Sequence, residues 1–239
     1  MMGTLINTAA VVAAGVVGTA LGNRLPAKVR ETAMHGIGLM TILIGLQMAL
    51  GVRNLLVVLS SVVVGGAIGE MLNVDGALES LGRWVERRVE ARNEAGERAA
   101  GVARGTFSRA FVTASLVFCV GPMTITGALQ DGLTGDYSTL AVKSMLDTFA
   151  GLAFASTMGI GVAFAGGVVL VYQGGLTLAA AWVRDFLTEP VSAEMIATGG
   201  LLIVGIGLNL LELKRIRVSN MLPALLLAPA VTAALTGLA

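Results

Sequence analysis

The sequence contains few charged residues and few aromatic ones. Only 13% of its 239 residues are charged and 5% are aromatic, whereas a soluble domain carries about a quarter charged residues. The formal net charge is +1, so the chain lacks the strong positive field that draws nucleic acid to a protein. The composition therefore argues against a soluble domain and against a nucleic-acid partner.

Cysteine and histidine are almost absent, with one residue of each kind. A single cysteine, Cys119, excludes an intrachain disulfide and any cysteine-based zinc site. We find no phosphate-binding loop, no metal-ligand cluster and no nucleophile–base spacing of the kind that marks a catalytic site. We therefore expect a protein that is not an enzyme and that needs no metal and no cofactor.

Apolar residues make up 55% of the chain, and apolar stretches of about 20 residues recur along its whole length, which is the pattern of a polytopic membrane protein. The sequence predicts an all-α membrane protein with about eight transmembrane helices. The predicted spans are residues 4–22, 32–50, 54–72, 109–130, 138–157, 161–183, 193–211 and 219–238.

Lysine and arginine divide the predicted loops into two sets. One set is rich in them and holds Arg24, Lys28, Arg30, Arg83, Arg87, Arg88, Arg92, Arg98, Arg104, Lys214, Arg215 and Arg217. The other set holds only Arg53 and Arg184. Because cytoplasmic loops carry the excess of positive charge, the first set is predicted to be cytoplasmic, which leaves both termini outside.

Residues 73–105 form the one long loop, which is rich in glutamate and arginine. One helical face of it is apolar and is formed by Leu78, Leu81, Val85 and Val89. This spacing predicts a cytoplasmic amphipathic helix. It is either a solvated connector between two halves of the protein or a helix that binds a partner or regulates activity.

Two short segments recur in the two ends of the chain. Ile44-Gly45-Leu46-Gln47 resembles Ile206-Gly207-Leu208-Asn209, and residues 13–17 resemble residues 165–169. Spans one to three therefore resemble spans six to eight, and the odd offset of five spans gives the copies opposite orientations. Inverted repeats are typical of secondary transporters, which bind their substrate where the repeats meet. Gln47 and Asn209 are thus candidate binding residues, or else interhelical hydrogen-bonding residues.

This organisation divides the chain into four parts. Residues 1–72 are a three-helix repeat, 73–105 the cytoplasmic segment, 106–160 a central helix pair, and 161–239 the second three-helix repeat.

Predicted span four contains a helix breaker near its middle, Gly121-Pro122. Proline removes one N–H and clashes with the carbonyl four residues earlier, here that of Phe118. Backbone groups left unsatisfied in lipid cost several kcal/mol each, and Thr124 and Thr126 can satisfy some of them. The segment is either a broken helix that lines a solute path or a proline kink packed against its neighbours. The first alternative makes Gly121, Pro122, Thr124 and Thr126 candidate binding residues.

Predicted span five carries two ionisable residues, Lys143 and Asp147. At ~1.5 Å rise per residue, Asp147 lies about 14 Å inside the membrane, where a charge costs about 2.5–3.5 kcal/mol on insertion scales. The i,i+4 spacing lets the two side chains pair. The pair is either structural or part of a site for an ion, a proton or a substrate, and the functional alternative is favoured because apolar packing often stabilises a core as well as a buried ion pair does.

Several motifs resemble a known family. These are Gly121-Pro122-Met123-Thr124-Ile125-Thr126-Gly127, Gln130-Asp131-Gly132, Lys143-Ser144-Met145-Leu146-Asp147 and the opening Gly3-Thr4. Together they resemble the YqgA/YdfK family of bacterial inner-membrane proteins, a family filed as a domain of unknown function. The resemblance covers nearly the whole chain. It implies a multi-pass protein of the bacterial plasma membrane, sometimes labelled a transporter, and it supplies no site residues.

Three functions fit these patterns. The first is a secondary transporter of a small solute or ion, coupled to H⁺ or a cation through Asp147. The second is a channel built on the same polar face. The third is a non-transporting assembly or sensor protein that acts through residues 73–105. The expected partners are the lipid bilayer and a small solute or ion, with self-association into a homo-oligomer as a further option.

Overall fold

A computed structural model of the protein describes residues 1–22, 26–77, 80, 106–183 and 186–237. Within these residues the regular elements are all helical. The helices are α1 (Met2–Gly22), α2 (Ala27–Ala49), α3 (Leu55–Met71), α4 (Thr106–Cys119), α5 (Pro122–Thr134), α6 (Ser138–Met158), α7 (Gly161–Leu178), α8 (Ala180–Val183), α9 (Glu189–Leu210), a 3₁₀ helix (Val218–Met221) and α10 (Ala224–Thr236).

These helices follow the predicted spans closely. Span four is divided into α4 and α5, span six into α7 and the short α8, and span eight into the 3₁₀ helix and α10. The gap between predicted spans five and six is a turn at Gly159, which has a positive φ of 88°, a conformation that glycine adopts without steric cost. The predicted amphipathic helix of residues 73–105 lies almost entirely outside the described residues.

Length and composition identify five membrane-capable helical segments in the described part of the chain. They are α1, Glu31–Ala49 of α2, α7, α9, and Val218–Thr236. The bent pair α4–α5 adds a sixth if it is one span, whereas α3 is apolar but has only 17 residues. Helix α6, which carries Lys143 and Asp147, is not among the five. The predicted all-α membrane fold is thus confirmed, and the number of eight spans stays a prediction.

One end of the bundle, called the first end below, contains the beginnings of α1, α3, α6 and α9. The Gly3 N–H donates to the Asp131 carboxylate, 3.1 Å away, and so joins the beginning of α1 to the last turns of α5. Gly132 packs against Thr177 near the end of α7. The loop before α3 is joined to the first turns of α9, because Arg53 pairs with Glu189.

The opposite end, called the second end, contains the beginnings of α4 and α7 and the ends of α3 and α9. Glu70 of α3 pairs with Arg217, just beyond α9. Arg109, in the first turn of α4, donates to the backbone carbonyl of Asn209 in the last turn of α9. Gly161, at the start of α7, packs against Phe107. The chain therefore alternates between the two ends, with α4 and α5 acting as one passage.

The closest helix packing is that of α1 with α6 and α7, of α2 with α9, and of α4 with α7. The α2–α9 crossing is reciprocal. A Cβ on Gly45 would lie 2.7 Å from both the Gly200 carbonyl oxygen and the Val204 nitrogen, and a Cβ on Gly207 would lie 3.0 Å from the Gly38 oxygen and the Ile42 nitrogen. Small residues let membrane helices approach this closely, because association in lipid depends on packing.

Candidate polar site in the helix bundle

The segment between α4 and α5 is a true helix break. Helix α4 ends at Cys119, Gly121 is extended (φ −70°, ψ 152°), and α5 begins at Pro122, after a bend of 59°. Proline is favoured as the first residue of a helix, where its missing N–H would be unpaired anyway. Pro122 therefore does not interrupt a continuous helix, because the first helix has already ended at Cys119.

Thr124 satisfies the carbonyl freed by the break. Its Oγ1 donates to the Phe118 carbonyl oxygen across 2.9 Å, and both residues are buried. This is the role predicted for a threonine after the proline, because an unpaired carbonyl in this setting is costly. Thr126 is exposed, and a Cβ on Gly121 would face open space. The break thus has one buried side, fixed by Thr124, and one open side.

Lys143 and Asp147 of α6 form the predicted ion pair. The ammonium of Lys143 bonds directly to Oδ2 of Asp147, and the two residues are only 5% and 7% exposed. The α6 side chains on the opposite face, among them Met145 and Phe149, are exposed apolar groups. The helix therefore turns its charges inward, where a charge in a membrane bundle finds polar partners.

The broken helix approaches this pair through the last residues of α4. The Cys119 thiol lies near both Lys143 and Asp147. The Phe118 ring lies 3.8 Å from the Cβ that Gly151 would carry and 6.3 Å from the Phe154 ring, centroid to centroid. The residue of this region that approaches the pair is thus Cys119, and the meeting of the pair with the irregular backbone of residues 121–126 stays a prediction.

A buried polar network leads away from Asp147. The side chain of Asn7 on α1 lies near Asp147, and its Nδ2 donates to Oε1 of Gln173 on α7, 3.0 Å away. Gln173 in turn donates to the Thr4 hydroxyl across 3.2 Å, and the hydroxyls of Thr4 and Thr177 are 3.3 Å apart. Asn7, Thr4 and Gln173 are 0% exposed.

The network ends near Asp131 at the first end of the bundle. Asp131 is 4% exposed and accepts the Gly3 N–H next to Thr4 in the chain. Polar side chains therefore follow one line from the first end of the bundle to Asp147, along the interface of α1, α5 and α7. The sequence patterns singled out neither Asn7 nor Gln173. Amide side chains inside predicted spans were the signal that could have found them.

One atom of this network has no partner. The Oδ1 atom of Asn7 is buried and accepts no hydrogen bond in the described part of the chain. A buried carbonyl oxygen without a donor is unfavourable by about 1–3 kcal/mol. Asn7 Oδ1, on a residue that lies near Asp147, is therefore an acceptor available to an additional donor or to a cation.

Gln47 and Asn209 have different surroundings. Gln47 is exposed on α2. Asn209 uses its amide to hold the loop after α9, since its Nδ2 donates to the Ile216 oxygen and its Oδ1 accepts from the Ile216 nitrogen, each across 2.7 Å. Neither side chain makes one of the hydrogen bonds of the Asp147 network. Among the described residues there is also no group of three or more histidine, cysteine or acidic residues arranged to hold a metal ion.

One protein family matches nearly the whole chain. The family model described as "Protein of unknown function (DUF554)" matches residues 2–233. The chain belongs to the DUF554 family. This confirms the resemblance carried by the motifs of residues 121–132 and 143–147.

Two relatives of this DUF554 protein align along almost their full length. "Uncharacterized protein YqgA" of Escherichia coli (strain K12) is 33% identical over 236 residues, which cover 99% of this chain and 98% of the relative. "Uncharacterized membrane protein YdfK" of Bacillus subtilis (strain 168) is 26% identical over 235 residues, which cover 97% and 95%. No solved structure matches.

The DUF554 protein is a membrane protein. A relative of matching length bears that description, and five long apolar helices of this chain present exposed leucine, valine and methionine side chains. In lipid such faces need no covering, whereas ionisable groups need partners. The Lys143–Asp147 pair and the amide and hydroxyl groups of the adjoining network are chemically able to bind, hold and release a proton or a small cation.

Proposed function

We propose that this DUF554 protein is a secondary transporter of a small solute or ion in the bacterial plasma membrane, and that Asp147 binds the coupling proton or cation. The observation that carries the proposal is the buried polar line from Asp131 through Thr4, Gln173 and Asn7 to Asp147. Ionisable residues inside membrane proteins are rare and mark substrate and ion pathways and proton relays. We propose no enzymatic reaction.

Stability alone does not account for the ion pair. Replacing a buried pair with apolar residues is often neutral or stabilising by about 1–4 kcal/mol, whereas removing one partner costs about 3–5 kcal/mol. A pair that only held α6 in place would therefore be easily replaced by leucines. If the two charges must separate during a transport cycle, both ionisable side chains are needed for function.

The arrangement favours a two-state site. In one state Asp147 is paired with Lys143. In the other, a proton or a cation on Asp147 releases Lys143, and the unpartnered Oδ1 of Asn7 accepts a hydrogen bond from the protonated carboxyl or from the freed ammonium. The break between α4 and α5, beside Cys119, is a point at which this exchange can move the half-helices.

The reciprocal packing of α2 and α9 supports the inverted repeat. Gly45 contacts Gly200 and Val204, and Gly207 contacts Gly38 and Ile42. A twofold axis between the helices would relate these two groups of contacts, because it exchanges Gly45 with Gly207, Gly38 with Gly200 and Ile42 with Val204. The contacts of α1 with α7 are reciprocal in the same way, since a Cβ on Gly15 would meet Ala163 and a Cβ on Gly166 would meet Val12. These contacts match Gly15 to Gly166. The sequence comparison, which matched Gly15 to Gly167, is then one residue out of register.

The proposed orientation places the second end in the cytoplasm and both termini outside. Lys214, Arg215 and Arg217 belong to the second end, and the polar line would then open to the outside. This assignment rests on the distribution of positive charge.

A transport assay tests the proposal. We would first screen solutes and ions for those that raise the melting temperature of the purified protein, because a ligand of the folded state stabilises it. With such a ligand, proteoliposomes containing a pH-sensitive dye should show saturable, gradient-driven proton flux with the wild type. Asp147→Asn should abolish this flux, and Asp136→Asn, in the exposed loop before α6, should leave it intact.

A double variant separates function from structure. K143L/D147L should fold as well as the wild type and should not transport. Wild-type flux in that variant would refute the assignment of the site. A conductance that does not saturate with solute concentration would identify a channel and overturn the carrier.

A further inference from the structure

The buried site on α6 carries no net charge. The ammonium of Lys143 bonds to Oδ2 of Asp147, and both residues are buried. Cys119 of α4 lies near both of them, and Tyr172 of α7 lies near Cys119. A thiol and a phenol are ordinarily uncharged at neutral pH. The site therefore holds one positive and one negative charge, which cancel.

The helices packed against α6 bring no further charge to this pair. They are α1, α2, α4, α5 and α7, of which α1 and α7 contain no charged side chain. The ionisable residue of α5, Asp131, is separated from the pair by the polar line and accepts the Gly3 N–H at the first end. The others, apart from Cys119, lie in the opening turns of α2 and α4 at the second end and are Lys28, Arg30, Glu31, His35 and Arg109. None of them can compensate for a charge added at the pair.

A cation that binds Asp147 has to replace the ammonium of Lys143. A bound cation together with the ammonium would leave one uncompensated positive charge inside the bundle, which is strongly unfavourable. The site stays neutral if Lys143 gives up one proton as the cation arrives and becomes a neutral amine. Lysine can lose its proton when it is buried, whereas arginine remains charged.

The polar line next to the pair favours a cation over an anion as the substrate. An anion that entered with a proton on Asp147 would also keep the site neutral, but it needs free hydrogen-bond donors. The amide groups of Asn7 and Gln173 already donate, to Gln173 and Thr4, and the unpartnered atom of the line is an acceptor, Oδ1 of Asn7. The line also begins at a carboxylate, Asp131. A divalent ion would leave one excess positive charge against a single carboxylate, so the favoured substrate is a monovalent cation.

We infer that this DUF554 protein exchanges one alkali-metal cation for one proton, and that Lys143 carries the proton. The inference rests on the proposed function and names its ion and its proton carrier. The cation takes the place of the ammonium at Asp147, and the proton of Lys143 passes to water on the side to which the site is open. When the site opens to the other side, the cation leaves and Lys143 takes up a proton from the water there. Because one positive charge replaces another, the exchange moves no net charge across the membrane.

Proton flux and electrical current, measured together, test the exchange. Proteoliposomes that contain the wild type and a pH-sensitive dye receive Na⁺, K⁺ or Li⁺ on the outside, with choline at equal ionic strength as the control. At least one alkali-metal cation should raise the internal pH in a saturable manner, whereas choline and Mg²⁺ should not. No transport current should accompany this change on a solid-supported membrane. A pH change that carries current, a pH change driven by Mg²⁺, or no response to any alkali-metal cation would overturn the inference.

Two substitutions of Lys143 identify the proton carrier. Lys143→Arg keeps a positive partner for Asp147 but cannot release a proton, so it should fold and should lose the exchange. Lys143→Met should retain the exchange, because Asp147 then takes up the proton itself. The matched control is Lys214→Arg, at an exposed position beyond α9, which should exchange like the wild type. Wild-type exchange in a Lys143→Arg variant with an unchanged melting temperature would show that Lys143 does not carry the proton. If neither variant of Lys143 folds, the current measured with the wild type decides.

These measurements separate the inference from the proposed function. If another solute drives a proton flux that Asp147→Asn abolishes, while no alkali-metal cation drives one, the protein is a transporter and the cation exchange is wrong. If neither a solute nor a cation drives flux through the wild type, the proposed function is wrong as well.

Discussion

At the scale of single residues, Thr124 decides how the break between α4 and α5 is tolerated. A broken helix inside a membrane needs a donor for each carbonyl that it frees, and Thr124 supplies one to Phe118. Pro122 fits the break because it begins a helix there. Thr124 therefore stabilises the helix break that the sequence predicted and that the proposed transport path requires.

Replacing Thr124 with valine tests this role. Thr124→Val keeps the shape of the side chain and leaves the Phe118 carbonyl without its donor, so we expect the free energy of unfolding to fall by about 1–2 kcal/mol. The measurement is the melting temperature of the purified protein in detergent. The matched control is Thr232→Val, since the buried Thr232 donates only to the Ala228 carbonyl of its own helix. Equal effects of the two variants would count against the assigned role.

At the scale of helices, the α2–α9 crossing depends on glycine. Gly45→Ala would place a Cβ 2.7 Å from the Gly200 carbonyl oxygen and so force the helices apart. We expect a lower melting temperature and the same effect from Gly207→Ala, its reciprocal. Gly36→Ala in the same helix is the control.

The control variant Gly36→Ala has its own expected effect on stability. Gly36 has open space around its would-be Cβ, and alanine is a better helix former by about 1 kcal/mol. Gly36→Ala should therefore be neutral or stabilising. If Gly45→Ala were equally benign, the close approach of α2 and α9 would not be needed for stability.

The start of α6 has a pH-dependent cap. Asp136 accepts from the Ser138 N–H across 2.9 Å and from the Gln130 amide across 2.7 Å. The Ser138 N–H, with help from Gln130, holds the pKa of Asp136 below its ordinary value. A carboxyl whose folded-state pKa is lowered contributes stability above about pH 4, the ordinary value in an unfolded chain, and that contribution is lost as the pH falls through the lower folded-state pKa.

Asp136→Asn removes this titration. Between about pH 5 and pH 3 the melting temperature of the wild type should fall more steeply than that of the variant, because only the wild type loses the charged cap. Parallel curves would show that the cap does not contribute. The group is fully exposed, so the difference should be small.

At the scale of the whole molecule, the alternation between two ends predicts a topology. The native Cys119 is buried, so a background in which it is replaced by alanine can carry single cysteines elsewhere. Arg53→Cys should react with a membrane-impermeant maleimide in intact spheroplasts, and Lys214→Cys should react only after permeabilisation. Labelling of the Lys214 position in intact spheroplasts, or protection of the Arg53 position, would contradict both termini lying outside.

Much of the fold was determined by the sequence alone, because in lipid a helix satisfies its own backbone. Apolar runs of the right length predicted where helices lie, and Gly121-Pro122 predicted where one breaks. The i,i+4 spacing of Lys143 and Asp147 was enough to predict their pairing, since both residues belong to one helix. Each of these features depends on residues that are near in sequence.

The tertiary structure decided what each polar side chain does. Asn7 and Gln173, on α1 and α7, meet only because those helices pack together, and no local pattern encodes that contact. Asn209 resembled Gln47 in sequence, yet it fastens the loop at Ile216, while Glu194 found its partners before α3. A polar side chain in a membrane bundle bonds to whichever donor or acceptor the neighbouring helix presents, and that neighbour is set by the packing of the whole chain.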